Sequence, residues 1–177
     1  PIKVSLLTPG VADDGSLDLK GFPAMLLSAY LDARGIVVEK TTDFTILFLF
    51  SLGITNAKWS TLVHAMLAFK RDLDANAALA DTIPTVAEHY PGLRLRDLAS
   101  QMMKQLADAR QLEIQSAAFS ALPEQAVTPG DAYQALVRGR VRRIPLDQAA
   151  GRTAATGLVP YPPGIPLVMP GERIGDD

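Results

Sequence analysis

The stretch FTILFLFSL, residues 44–52, is the strongest β-strand signal in the chain. Its apolar residues follow one another directly, without the alternation that is typical of a half-buried strand. Such a run indicates either a strand buried on both faces or a strand in a sheet that helices cover. A glycine at position 53 marks its end.

Further strand and helix signals lie on both sides of this stretch. Residues 2–7 and 36–38 are apolar and rich in β-branched side chains, which favours strands. Apolar residues recur at helical spacing in residues 23–34 and 57–74, with Asn56 as the expected N-cap of the second helix. The resulting order β, α, β, β, α predicts an α/β fold in which helices pack on a small sheet.

Strand signals fade after residue 75. Helical patterns take over, and they occupy residues 96–110, 114–122 and 131–138. We therefore expect two parts. Residues 1–90 would form a small α/β subdomain, and residues 91–177 a mainly helical segment that begins a second domain.

Composition excludes several classes of function. The net charge of −2 gives no electrostatic case for binding nucleic acid or an anionic membrane. The absence of cysteine excludes disulfides and thiolate metal sites. The longest apolar run, residues 46–50, is far too short to span a membrane, and residues 1–8 do not resemble a signal peptide. The expected location is therefore cytoplasmic.

Common catalytic and metal-binding motifs are missing from the sequence. It contains no HExxH, phosphate-binding loop, dinucleotide fingerprint or GxSxG. The two histidines, His64 and His89, are far apart, and no metal site is expected. Four arginines in residues 138–143 would suit a phosphate group, but a solvated surface segment is the simpler interpretation.

Two side chains have positions that suit ligand contact. Glu39 follows the predicted strand 36–38, and ligand groups tend to lie at strand ends in open α/β sheets. Its carboxylate could bind a cationic ligand, or it could simply pair with Lys40 or an arginine. Tyr161 lies in VPYPPGIPLVMPGE, residues 159–172, where five prolines restrict the backbone. It could form a pocket wall or a subunit contact, or it could only pack the segment in place.

Five blocks of sequence together resemble one enzyme family. The chain is similar, in order and over nearly its whole length, to the bacterial ornithine/lysine/arginine decarboxylases. The blocks are LLTPG (6–10), YLDARGIVVEKT (30–41), LFLFSLGI (47–54), AFKRDLD (68–74) and VPYPPGIPLVMPGE (159–172).

The resemblance implies the small subdomain of the pyridoxal-phosphate-dependent aminotransferase-like fold, followed by the start of the C-terminal domain. It implies decarboxylation of a basic amino acid, arginine or lysine ahead of ornithine, to a polyamine-type amine. The family's cofactor lysine lies in a Ser-x-His-Lys motif, and none of the six lysines here follows a histidine. No catalytic residue and no covalent cofactor contact are therefore expected in this chain. It would be a part of the enzyme that is inactive without the cofactor-binding domain.

The same resemblance assigns substrate-side residues and partners. Glu39 matches the family glutamate that meets the distal cation of the substrate, Tyr161 matches the tyrosine of the proline-rich segment, and Glu172 is a third candidate. A homo-oligomer is expected, with a basic amino acid and the cofactor-binding domain as partners. The chain departs from the family after residues 39–41, where Thr42-Asp43-Phe44 replaces a Gly-Pro-Tyr-like run. The alternative is a non-catalytic binding or assembly module derived from this family.

Overall fold

The computed structural model describes residues 2–120, 122–161 and 164–175. The chain forms two compact units, Pro1–Leu112 and Glu113–Asp177. The division at residue 90 that the sequence suggests stays a prediction. In chain order the elements are β1 Lys3–Leu7, α1 Ala24–Asp32, β2 Lys40–Thr41, β3 Thr45–Leu49, α2 Asn56–Asp74, α3 Leu79–Thr82, α4 Pro84–Ala87, α5 Leu95–Asp108, α6 Gln111–Ser120, α7 Pro129–Val137 and a single 3₁₀ turn, Leu146–Gln148.

The first unit contains a small antiparallel sheet in the order β1-β3-β2. The strand predicted in residues 44–52 supplies β3, which is the central strand. Leu6 of β1 and Thr41 of β2 both lie opposite Ile46, and Val4 lies opposite Phe48. The prediction of a small sheet with packed helices is confirmed.

Burial alternates along β3. Ile46 and Phe48 are 0% and 6% exposed, whereas Leu49 is 41% exposed. Of the two alternatives, burial on both faces is therefore wrong, and the strand lies in a sheet that helices cover on one face. The strand also ends at Leu49, before the fully exposed Leu52.

The core lies between the inner face of the sheet and the helices. Phe69 of α2 is at its centre, with its ring 4.9 Å from that of Phe22 and 5.0 Å from that of Tyr30, both in edge-to-face geometry. The buried side chains of this core are Ala24, Leu26, Leu27, Tyr30, Leu31, Ile46, Phe48, Ala65, Phe69, Leu79, Ile83, Leu95, Leu98 and Ala99.

The strand predicted in residues 36–38 does not form. Residues 36–38 follow α1 and do not pair with a neighbouring strand. Pairing with β3 begins at Glu39, whose N–H donates to the Leu47 carbonyl at 3.0 Å. The β-branched residues have the propensity for a strand, but a strand also needs a neighbour to pair with. The second strand is instead the polar pair Lys40–Thr41.

The two ends of α2 differ. Its N-cap is Thr55, without a side-chain cap, so the prediction of Asn56 as N-cap is wrong; the Asn56 Oδ1 accepts from the Trp59 indole at 3.3 Å instead. At the other end, the Arg96 guanidinium donates to the Leu73 and Asp74 carbonyls, and the Arg94 Nε donates to the Asn76 carbonyl. Arginines at a helix C-terminus satisfy carbonyls that the helix itself leaves free.

The loop between β1 and α1 is tightly packed. The Phe22 N–H donates to the Pro9 carbonyl at 3.2 Å, and a Cβ at Gly21 would lie 1.1 Å from that same oxygen. No side chain fits there, so glycine is required at this position.

The second unit combines α7 with paired extended segments. The Thr128 hydroxyl caps α7 by accepting from the Asp131 N–H at 3.1 Å. Residues 171–174 lie between residues 124–127 and 151–154 and form backbone hydrogen bonds with both. Gly171 has a φ of 93°, and a Cβ there would lie 2.3 Å from the Val127 carbonyl. The arginines of residues 138–143 are exposed. Among the described residues, no helix combines the length and hydropathy that crossing a membrane requires.

Candidate functional site

Glu39 lies immediately before β2, not at the end of a strand as the sequence suggested. Its Oε1 is 3.5 Å from the Nζ of Lys3, which belongs to β1 at the opposite edge of the sheet. The two side chains are 38% and 54% exposed. The ion pair therefore spans β3, because Lys3 lies opposite Leu49 and the Glu39 N–H binds the Leu47 carbonyl.

The surface beneath this pair is the outer face of the sheet. Side chains alternate along a strand, so Lys3, Ser5 and Leu7 of β1 share a face with Leu47 and Leu49 of β3. This face is only partly covered, since Leu7 is 58% and Leu49 41% exposed. Glu39 thus places a solvent-accessible carboxylate at the border of a partly apolar surface.

Two clefts open elsewhere in the first unit. One, of about 400 Å³, lies between α1 and residues 36–41. The other, of about 330 Å³, is lined by Val37, Trp59 and Lys58 among others. Glu39 lines neither cleft.

Tyr161 lies in a loop of the second unit. Leu158 and Val168 pair at the base of this loop, and the Gly164 N–H donates to the Pro160 carbonyl at 2.8 Å. Tyr161 is 79% exposed, so the loop presents its ring to solvent rather than packing it in a core. The prolines at 162 and 163 lie outside the described residues.

Glu172 is held by its own turn. Its Oε2 accepts from the Met169 N–H at 2.7 Å, and its N–H donates to the Met169 carbonyl at 3.1 Å. Its carbonyl accepts from Ala154, which joins it to a neighbouring segment. This carboxylate stabilises the turn that follows the proline-rich loop.

The three predicted residues are divided between the units. Glu39 belongs to the first, and Tyr161 and Glu172 belong to the second. Within the described part of the second unit, no hydrogen bond links Tyr161 and Glu172. Their assignment to the substrate stays a prediction.

A partly buried polar network that the sequence analysis missed joins α1 to α2. The Tyr30 hydroxyl donates to the Asp72 Oδ2 at 2.5 Å, and the Arg34 guanidinium lies 3.3 Å from the centre of the Tyr30 ring. The same guanidinium donates to the Thr82 carbonyl of α3. Burial, followed by the hydrogen bond to Asp72, raises the pKa of Tyr30 to about 12.

All three polar residues of this network fall within blocks that carry the family resemblance. Tyr30 and Arg34 lie in YLDARG, and Asp72 lies in AFKRDLD. That shared membership was a signal that could have linked them. Their separation by 42 positions gives no local pattern.

Models of one protein family match both ends of the chain. The Orn/Lys/Arg decarboxylase major domain matches residues 1–58, and the Orn/Lys/Arg decarboxylase C-terminal domain matches residues 112–177. Together these stretches make up more than half of the sequence.

The chain belongs to the Orn/Lys/Arg decarboxylase family. The resemblance predicted from the five blocks is confirmed.

Relatives from this family match the chain almost end to end. Lysine decarboxylase LdcA of Pseudomonas aeruginosa is 49% identical over 177 residues, covering 98% of this chain and 24% of that protein. The biodegradative arginine decarboxylase of Escherichia coli is 44% identical over 180 residues, covering 99% of this chain and 24% of that protein. The chain therefore spans about a quarter of the length of these relatives.

Solved structures of the family share the backbone fold. The constitutive lysine decarboxylase of E. coli matches with a TM-score of 0.90 at 39% identity, over 99% of this chain and 25% of that chain. Lysine decarboxylase A from P. aeruginosa matches with a TM-score of 0.84 at 48% identity, over 98% of this chain and 24% of that chain. The predicted fold is confirmed by these matches.

The lysines of this chain do not fit a covalent pyridoxal phosphate site. A lysine that forms a Schiff base is activated by burial or by a cationic neighbour. None of the six lysines is buried: five are exposed and Lys40 is half-buried. Two of them form ion pairs, Lys3 with Glu39 and Lys70 with Asp74.

Proposed function

We propose that the chain is part of a pyridoxal-phosphate-dependent decarboxylase that releases CO₂ from lysine or arginine, ahead of ornithine. The observation that carries the proposal is the end-to-end match to relatives named as decarboxylases of basic amino acids. The relatives named as lysine or arginine decarboxylases are 40–49% identical, whereas two named as ornithine decarboxylases are 35% and 36% identical. This order of similarity supports the order of substrates.

In this proposal Glu39 binds the distal cation of the substrate. Its carboxylate is accessible, and it already accepts an alkylammonium group, that of Lys3. A hydrogen bond between ionised partners is about twice as strong as one between neutral partners. The same interaction would distinguish a basic amino acid from a neutral one of equal length.

Tyr161 and Glu172 are the further substrate-side residues of the proposal. The exposed phenol of Tyr161 is available to a group outside its own unit. Glu172 uses Oε2 for the Met169 N–H, and its other oxygen forms no hydrogen bond with a described residue. Glu172 would therefore act mainly by fixing the end of the proline-rich loop, with one oxygen left for a ligand.

In this proposal the reaction also needs the cofactor and the domain that binds it. Pyridoxal phosphate supplies the electron sink for the loss of CO₂ when it is bound. Because no lysine of this chain is suited to hold it, the chain would be inactive without a cofactor-binding domain. A polyamine-type product and a homo-oligomeric assembly are proposed from the family resemblance alone, and a cytoplasmic location is proposed from the sequence.

The test is to compare decarboxylation of lysine, arginine and ornithine by the full-length protein and by its Glu39→Gln variant. The loss of a charge-assisted interaction at a half-exposed site should raise KM for lysine about tenfold. Glu88→Gln is the matched control, since it removes an exposed carboxylate from the same unit.

If Glu39→Gln behaves like Glu88→Gln for all three substrates, Glu39 does not bind the distal cation. If the full-length protein decarboxylates none of them, the non-catalytic module becomes the better interpretation.

A further inference from the structure

The ion pair between Lys3 and Glu39 uses one oxygen of the carboxylate. The Lys3 Nζ lies 3.5 Å from Oε1. No other described residue forms an ion pair or a side-chain hydrogen bond with this carboxylate. Glu39 therefore has one occupied oxygen and one oxygen available to a ligand.

The two substrate cations differ in how many oxygens they require. An alkylammonium is a compact charge that a single carboxylate oxygen satisfies. A guanidinium is a planar fork that binds both oxygens of a carboxylate through two parallel N–H bonds. A carboxylate that already holds Lys3 at one oxygen can accept the first arrangement directly but not the second.

We propose that Lys3 is a specificity-determining residue that favours lysine over arginine by occupying one oxygen of Glu39. The inference rests on the proposed role of Glu39. Arginine must displace the Lys3 ammonium or give up one of its two hydrogen bonds, whereas lysine uses the remaining oxygen. The Lys3 charge also weakens the binding of either cation, but that effect is similar for both and leaves their ratio unchanged.

Because of its position, Lys3 can be replaced with little effect on folding, so its effect on substrate specificity can be measured separately. Lys3 is on an edge strand, and its side chain is 54% exposed. Its replacement by methionine keeps the aliphatic stem and removes only the ammonium group. Replacement by arginine supplies a guanidinium that can bind both oxygens of Glu39.

The experiment compares kcat/KM for arginine and for lysine in the full-length protein. Lys3→Met should raise the arginine-to-lysine ratio about fivefold, the size of a half-exposed charge interaction. Lys3→Arg should instead lower kcat/KM for both substrates, because its guanidinium occupies both oxygens of Glu39. Calorimetric binding of the amine products of the two substrates gives a second readout, in which the same ratio of affinities should change.

Lys40→Met is the control for charge alone. Lys40 is next to Glu39 in the chain and forms no ion pair with a described residue, so its removal should leave the ratio unchanged. An unchanged ratio in Lys3→Met, or an equal change in Lys40→Met, overturns the proposal for Lys3.

The Glu39→Gln variant distinguishes a failure of the role proposed for Lys3 from a failure of the role proposed for Glu39. If Glu39→Gln raises KM while Lys3→Met leaves the ratio unchanged, only the role of Lys3 is wrong. If Glu39→Gln has no effect, the proposed role of Glu39 fails and the role of Lys3 fails with it.

Discussion

Replacing Tyr30 by phenylalanine isolates the polar link between α1 and α2. The ring is fully buried and keeps its edge-to-face contact with Phe69, so packing is preserved. The Asp72 carboxylate, 21% exposed, loses a hydrogen bond of 2.5 Å. Asp72 keeps its ion pairs with Arg34 and Arg71, so the cost is that of one hydrogen bond to a charged group, about 1–2 kcal/mol. The free energy of unfolding at neutral pH should fall by that amount.

The pH dependence of stability provides the sharper test of this interaction. The pKa of Tyr30 is raised from 10.0 to about 12 in the folded chain, first by burial and then by the bond to Asp72. The folded state therefore holds the proton more tightly than the unfolded state does. The stabilisation is complete below about pH 10 and is lost as the pH rises through about 12. A difference of two pKa units corresponds to about 3 kcal/mol.

The assay is urea denaturation between about pH 9 and about pH 11.5. Stability of the unaltered chain should fall more steeply over this range than that of Tyr30→Phe. Lysine side chains also titrate here, but their contribution is common to both proteins and cancels in the difference. Tyr90→Phe, which alters an exposed tyrosine, should follow the unaltered chain. If all three proteins show the same slope, Tyr30 does not titrate differently on folding and the argument is wrong.

Three further substitutions test the packing. Gly21→Ala should lower the free energy of unfolding by at least about 3 kcal/mol in urea denaturation, because its Cβ would overlap the Pro9 carbonyl. The control Gly53→Ala, whose Cβ would meet no atom within 4 Å, should change this free energy little. Equal effects of the two substitutions would contradict this account. Phe69→Ala should cost about 3–5 kcal/mol by the same assay, and a loss below about 1 kcal/mol would show that this ring is not central to the core. Thr128→Ala should cost about 1 kcal/mol in thermal denaturation while the Ser variant retains stability, and an equal loss in both would exclude a capping role.

Local sequence patterns predicted elements whose signals lie within one segment. The helical spacing in residues 23–34 and 57–74 corresponds to α1 and α2, and residues 2–7 supply β1. The elements that failed depend on pairing. Residues 36–38 have strand propensity but no partner, while the polar pair Lys40 and Thr41 carries no apolar strand signal and pairs with β3.

The contacts of the candidate site were likewise hard to predict, because they depend on pairing between distant segments. Glu39 was identified by its position after residues 36–38 and by its place in a family block. Its partner Lys3 was not identified, because their proximity depends on the register of three strands. Tyr30 and Asp72 are likewise joined only through the packing of two helices. Charge pairs between distant segments leave no periodic trace in one sequence, whereas a glutamate within a recognisable block does.

The unequal ends of α2 have a consequence for its motion. The arginines of residues 94 and 96, together with Phe69 and Asp72, hold the carboxyl-terminal half, while Thr55 provides no cap and residues 51–59 are exposed. Local opening should therefore cost little at the amino-terminal end and approach the global free energy at the other end. Amide hydrogen exchange along this one helix should slow progressively from Trp59 towards Phe69.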